Sequence, residues 1–161
     1  MQKYPADKKY QIFFLCTTIG MIAFAFIHSL MPAEVSSDES GIVLTILRDI
    51  FATLHIPTKP LNSYILRKFA HYLEYVMIGM SMVCYTIAHD VKRPLHYLFT
   101  ALFFGLLTPV IDETIQLYTP GRSGQVSDVC LDFLGILTGF MTVLLIFFVI
   151  RQLRQKTTRT K

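Results

Sequence analysis

Three runs of this chain are apolar and long enough to cross a hydrocarbon core of ~30 Å as helices, and a fourth qualifies once a few polar residues near one end are admitted. They fall at about 10–31, 69–88, 95–118 and 127–150. A backbone in lipid must satisfy its own hydrogen bonds, so such runs confine the chain to helices that pack on one another. The expected fold is all-α: a polytopic membrane bundle of four transmembrane helices plus one short interfacial or re-entrant helix, forming a single domain over residues 1–161. Composition agrees, with 53% hydrophobic residues and no Trp, too apolar for an ordinary soluble domain of this size.

The net charge of +4 does not point to nucleic acid, because the basic residues flank apolar runs and form no stripe on a soluble module. They set topology instead. Lys3, Lys8, Lys9, Lys92, Arg93, Arg151, Arg154, Lys156, Arg159 and Lys161 share one side, against Arg48, Lys59, Arg67, Lys68 and Arg122 on the other. The positive-inside rule then places both termini in the cytoplasm. The first run is too long for a signal-peptide core and no small-x-small cleavage site follows it, so it reads as a retained helix. Cys16, Cys84 and Cys130 fall in different spans without metal-ligand spacing and read as buried apolar filler.

The one long external segment, about residues 32–68, contains Ser36-Ser37-Asp38-Glu39, which has the Ser-x-x-Glu form of a capping box. Ile42 to Leu54 follow at helical spacing, and Pro57 and Pro60 stop the helix. With Arg48 and Asp49 on its polar side, this piece reads as too short and too charged to span. It lies in the outer interface as a lid over its neighbours or packs on the bundle. Short turns at 89–94 and 119–126 make the last three spans neighbours whose outer ends converge.

At those outer ends sit the ionisable residues. Residues three and four apart share a helix face, so Lys68, His71 and Tyr75 align with Glu74 beside them. Asp112 aligns with Gln116, Glu113 lies one position round, and Asp128 aligns with Asp132. From a rise of ~1.5 Å per residue, Glu74, Asp112 and Asp132 should lie roughly 7–10 Å below the outer interface. Intramembrane charges are costly and mark functional sites by default. Glu74, Asp112, Glu113, Asp128 and Asp132 outnumber Arg67, Lys68 and Arg122, an imbalance that calls for a retained proton, a bound cation or a positively charged substrate. Pro109 removes the hydrogen bond to the Gly105 carbonyl and is expected to kink the third span before Asp112. Gly135-x-x-x-Gly139 allows close helix contact and reads as packing.

Together, Arg67-Lys68-x-x-His71-x-x-Glu74-Tyr75, Asp112-Glu113-x-x-Gln116 and Gly121-Arg122-x-x-x-x-x-Asp128 before Gly135 and Gly139 resemble the VanZ-like family of small membrane proteins. The resemblance covers about residues 36–140 in this numbering. It implies a multi-pass bacterial cell-membrane protein. The family's founding member is associated with low-level resistance to the lipoglycopeptide teicoplanin, and the resemblance brings no settled biochemical activity. Family members often carry Asn where Asp132 stands here.

Two principal readings stay open. An enzyme acting on an outer-leaflet lipid or lipid-linked cell-wall precursor would use His71, Glu74, Asp112, Glu113 and Asp128 in acid-base or metal-assisted chemistry. Lys68, Tyr75, Gln116, Arg122 and Asp132 would then hold the substrate. Paired acids with His71 would also suit a divalent metal, with no motif naming it. A non-catalytic protein would use the same pocket to bind a lipid headgroup or lipoglycopeptide antibiotic. A proton-coupled transporter fits less well, because the inner halves of the spans are almost wholly apolar. A polar network that only fixes helix register is the plainest alternative.

Overall fold

In a computed structural model of the chain, which describes residues 8–55, 62–91 and 93–159, the regular elements are five α-helices. They are α1 (Lys8–Ser29), α2 (Ala33–Thr53), α3 (Ser63–His89), α4 (Leu98–Leu117) and α5 (Val126–Arg159). The four expected spans correspond to α1, α3, α4 and α5, and the expected external helix to α2. Pro57 and Pro60, and the topology residues Lys3, Lys59, Lys92 and Lys161, lie outside the described residues.

By length and composition, α1, α4 and α5 can cross a membrane, whereas the sequence suggested four spans. The helix that falls short is α3, and its position explains why. It packs against each of the other four helices, so Tyr75, Ser81 and Thr86 are buried against protein where a lipid-facing helix would carry aliphatic groups. Its neighbours turn the large apolar side chains outward, including Phe24 on α1, Phe99 and Phe103 on α4, and Met141 and Leu145 on α5. Such a surface suits hydrocarbon and would be a liability in water.

Glycine sets the central α3–α5 contact. A Cβ at Gly135 would stand 2.6 Å from the Tyr72 carbonyl oxygen, and one at Gly139 would collide with the Val76 carbonyl. From the other side, a Cβ at Gly79 would strike the Ile136 backbone. The two helices therefore touch backbone to backbone, and Ile136 is fully enclosed within an apolar cluster with Tyr75, Ile78, Val83 and Phe140. Hydroxyls add interhelical links: Tyr72 donates to Thr138 at 2.9 Å, and Thr18 and Ser81 share a hydrogen bond at 2.8 Å.

The start of α2 differs from the capping-box reading. The helix begins at Ala33 behind Pro32, with no side-chain cap, so positions 36 and 39 lie inside it. Its first N–H is satisfied from a distance, Ala33 donating to the Pro120 carbonyl at 3.2 Å. A local sequence signal could not register a partner almost ninety residues away. At 21 residues α2 is also longer than α4, so composition, and not length, separates it from the spans. Nor are the cysteines buried filler: all three are free, with Cys16 and Cys130 exposed and Cys84 only partly covered. Helix α4 continues past the buried Pro109 to Leu117 without a break.

Replacing Gly139 or Gly79 with Val should force α3 and α5 apart, at a cost of at least about 1–3 kcal/mol. Gly41→Ala, where a Cβ meets nothing within 4 Å, should be tolerated. Thermal unfolding of the detergent-solubilised variants, followed by loss of monodisperse protein, checks the contrast.

Candidate functional site

The α3–α5 contact carries the first turns of both helices to one end of the bundle, where the last turns of α1 and α4 also arrive. Here the polar stripes converge on a cavity of about 120 Å³. Lys68, His71, Glu113, Gln116, Arg122, Asp128 and Asp132 line it, joined by Tyr64, Arg67 and Gln125. The other three expected site residues do not reach its wall. Asp112 and Tyr75 are fully buried behind it. Glu74 lines a separate, largely apolar groove of about 620 Å³ between α1 and α3, together with Gly20, Phe24, His28 and Met77.

Helical spacing accounts for the inner wall. One turn beyond Asp112, the Gln116 amide nitrogen contacts Asp112 Oδ2 at 3.2 Å and Glu113 Oε1 at 3.1 Å. A third acceptor, the Ser29 hydroxyl on α1, lies 3.4 Å away. An amide has two protons, so this longest contact is the weakest of the three. The second Glu113 oxygen accepts from the Gln125 backbone N–H at 2.9 Å, fixing the carboxylate at both ends. This explains the approach at Gly124, where a Cβ would strike the Glu113 carbonyl.

The outer wall is an ion pair between Lys68 on α3 and Asp128 on α5, both partly exposed. The Lys68 ammonium also lies over the Tyr64 ring, 4.8 Å from its centre, where a cation is attracted by the π face. This pair accounts for Asp128 but leaves the surplus of acids unchanged, because Lys68 is used up with it. Deeper in, His71, Asp112 and Asp132 bring one potential ligand atom each within 4.8 Å of one another.

The sequence placed the pocket between the last three spans, and its lining comes from α3, α4, α5 and the loop before α5, with α1 supporting it from behind. Ser29 is fully buried, its hydroxyl meets Gln116, and its carbonyl accepts from Thr119 at 2.9 Å. The His28 ring stands 5.7 Å from the His71 ring, centre to centre. A polar His28-Ser29 pair closing an apolar helix was the available signal, but its distance in sequence hid the contact. Tyr64 and the Gln125 backbone carried no comparable pattern.

The two walls should differ in energetic weight. Gln116→Leu would strip two carboxylates of a buried donor, costing about 1–3 kcal/mol. Lys68→Met would break a partly solvated pair worth about 1 kcal/mol or less. Thermal unfolding of the two solubilised variants should therefore rank Gln116→Leu as the less stable.

Comparison with known proteins returned no match among curated proteins and none among solved structures. The sequence profile of one family does match, over residues 14–149, from the first turns of α1 to the apolar part of α5. The span includes every residue of the cavity wall, and the chain belongs to the VanZ/LLP1 family.

Proposed function

We propose that this protein holds an anionic lipid, or a lipid-linked envelope precursor, at the outer leaflet of a bacterial cell membrane, with the headgroup in the polar cavity and an acyl chain in the α1–α3 groove. The observation that carries this reading is the meeting of the two spaces: His71 lines the cavity, His28 lines the groove, and their rings are 5.7 Å apart. An amphiphile needs such a pair of adjoining environments. Arg67 and Arg122 offer planar guanidinium donors in the cavity wall for phosphate or carboxylate oxygens.

The orientation follows from charge. In our reading α3 crosses the membrane with α1, α4 and α5, covered by them on most sides while Phe69, Leu73 and Met77 stay exposed. Lys8, Lys9, Arg93, Arg151, Arg154 and Lys156 lie toward the end opposite the cavity, which the positive-inside rule assigns to the cytoplasm. A lipoglycopeptide such as teicoplanin, which carries its own acyl chain, is a second occupant of the same class. The antibiotic association of the family's founding member favours including it. The cluster below the cavity, Ile78, Met82, Val83, Ile136 and Phe140, is apolar, which speaks against a proton path through the bundle.

Two measurements test this. Arg122→Ala, which removes a headgroup donor, and Gly20→Phe, which fills the groove, should each deplete lipid retained by protein extracted in polymer nanodiscs and analysed by mass spectrometry. Expression of the wild type should alter lipoglycopeptide susceptibility, and the two variants should reverse the change. Well-folded variants with an unchanged lipid complement would overturn the reading. For topology, in a chain whose cysteines are replaced by Ala, Ser123→Cys should react with an impermeant maleimide on intact cells. Arg93→Cys should react only after permeabilisation.

A further inference from the structure

We infer that His71, Asp112 and Asp132 form a binding site for a divalent transition-metal ion, of the Mn²⁺ or Zn²⁺ class. The three residues come from three helices, α3, α4 and α5, yet each offers a ligand atom within 4.8 Å of the other two. Metal–ligand bonds of ~2.0–2.2 Å place coordinating atoms about 3–3.5 Å apart, so closure on an ion needs a contraction of up to about 1.3–1.8 Å. Rotamer adjustment of His71 and the two carboxylates is enough for that.

The second, independent sign is an unsatisfied atom. Asp112 is 0% exposed; its Oδ2 is engaged by Gln116, but its Oδ1 is buried without a hydrogen-bond partner. The enclosed Tyr75 hydroxyl is the neighbouring donor, yet no hydrogen bond of normal geometry joins it to this oxygen. A buried carboxylate oxygen without a partner is costly, and a cation among these groups removes the cost. Asp132, 2% exposed, adds a second carboxylate removed from water.

The donor set selects the class of ion. Two carboxylates alone would suit Mg²⁺ or Ca²⁺, whereas an imidazole nitrogen shifts preference toward first-row transition metals. Three protein ligands leave coordination positions open, a pattern typical of catalytic and substrate-binding sites. His71 and Asp132 line the polar cavity while Asp112 approaches from behind, so the open positions face that cavity. A phosphate or carboxylate oxygen there could complete the coordination shell; this last point alone rests on the headgroup reading. The alternative counter-charge is Arg122, which lines the same cavity.

Direct metal analysis decides between them without any lipid or activity. Detergent-solubilised protein, stripped with chelator, is incubated with Mn²⁺ or Zn²⁺, desalted and assayed by plasma mass spectrometry. The wild type should retain about one ion per chain, and Asp112→Asn, Asp132→Asn and His71→Gln should each bind at least about tenfold more weakly. Asp128→Asn, in the cavity wall but outside the cluster, should keep the ion. Bound Co²⁺ should show visible absorption that His71→Gln alters, which a purely structural histidine would not produce. Failure of the wild type to bind, or wild-type binding by folded Asp112→Asn or His71→Gln protein, would overturn the site. Either result would leave the lipid reading to be judged on nanodisc data alone.

Discussion

The α3–α5 backbone contact is the constraint on which the rest of this structure depends. In hydrocarbon, apolar side chains gain nothing from turning away from the solvent, so helices associate through close packing and interhelical hydrogen bonds. Gly79, Gly135 and Gly139 provide that closeness, and no larger residue could occupy them without moving a main chain. Once α3 and α5 lie flush, Lys68 and His71 are set beside Asp128 and Asp132. The other helices then close around α3, and the cavity wall is assembled from four separate segments.

Carboxylates at one end of the bundle meet three kinds of environment. Asp128 shares the partly wet mouth with Lys68. Glu113 is held by an amide and a backbone N–H. Asp112 and Asp132 sit deeper, beside an imidazole. The gradient from solvated ion pair to dry cluster runs over less than two helical turns, and it assigns distinct chemistry to side chains that composition counts as equivalent. Glu74 departs from them all by facing the α1–α3 groove, with one carboxylate oxygen buried and unpartnered.

Much of this was legible in the chain because helical spacing is a local property. The i, i+4 relation of Asp112 to Gln116 became a hydrogen bond, and the Gly-x-x-x-Gly pattern became a packing surface. What escaped was set by particular partners distant in sequence. Ser36-x-x-Glu39 resembled a helix start, but the Pro120 carbonyl receives the first N–H of a helix that begins one turn earlier. Ser29 ends the apolar α1, and its hydroxyl faces Gln116 eighty-seven residues on. Hydropathy ranks α3 below α1, α4 and α5 for the same reason, since a helix packed on four others can carry polar groups on its covered faces.

The Ala33–Pro120 and Thr119–Ser29 hydrogen bonds stitch the turn between α1 and α2 to the loop between α4 and α5. That loop carries Arg122, and its Gln125 N–H grips Glu113. The rim of the cavity is thus a hoop closed by main-chain and hydroxyl stitches, not a set of independent flaps. Displacing Arg122 outward therefore strains the first turn of α2 and the last turn of α1 together, whereas the α1–α3 groove lies outside the hoop and can change without disturbing it.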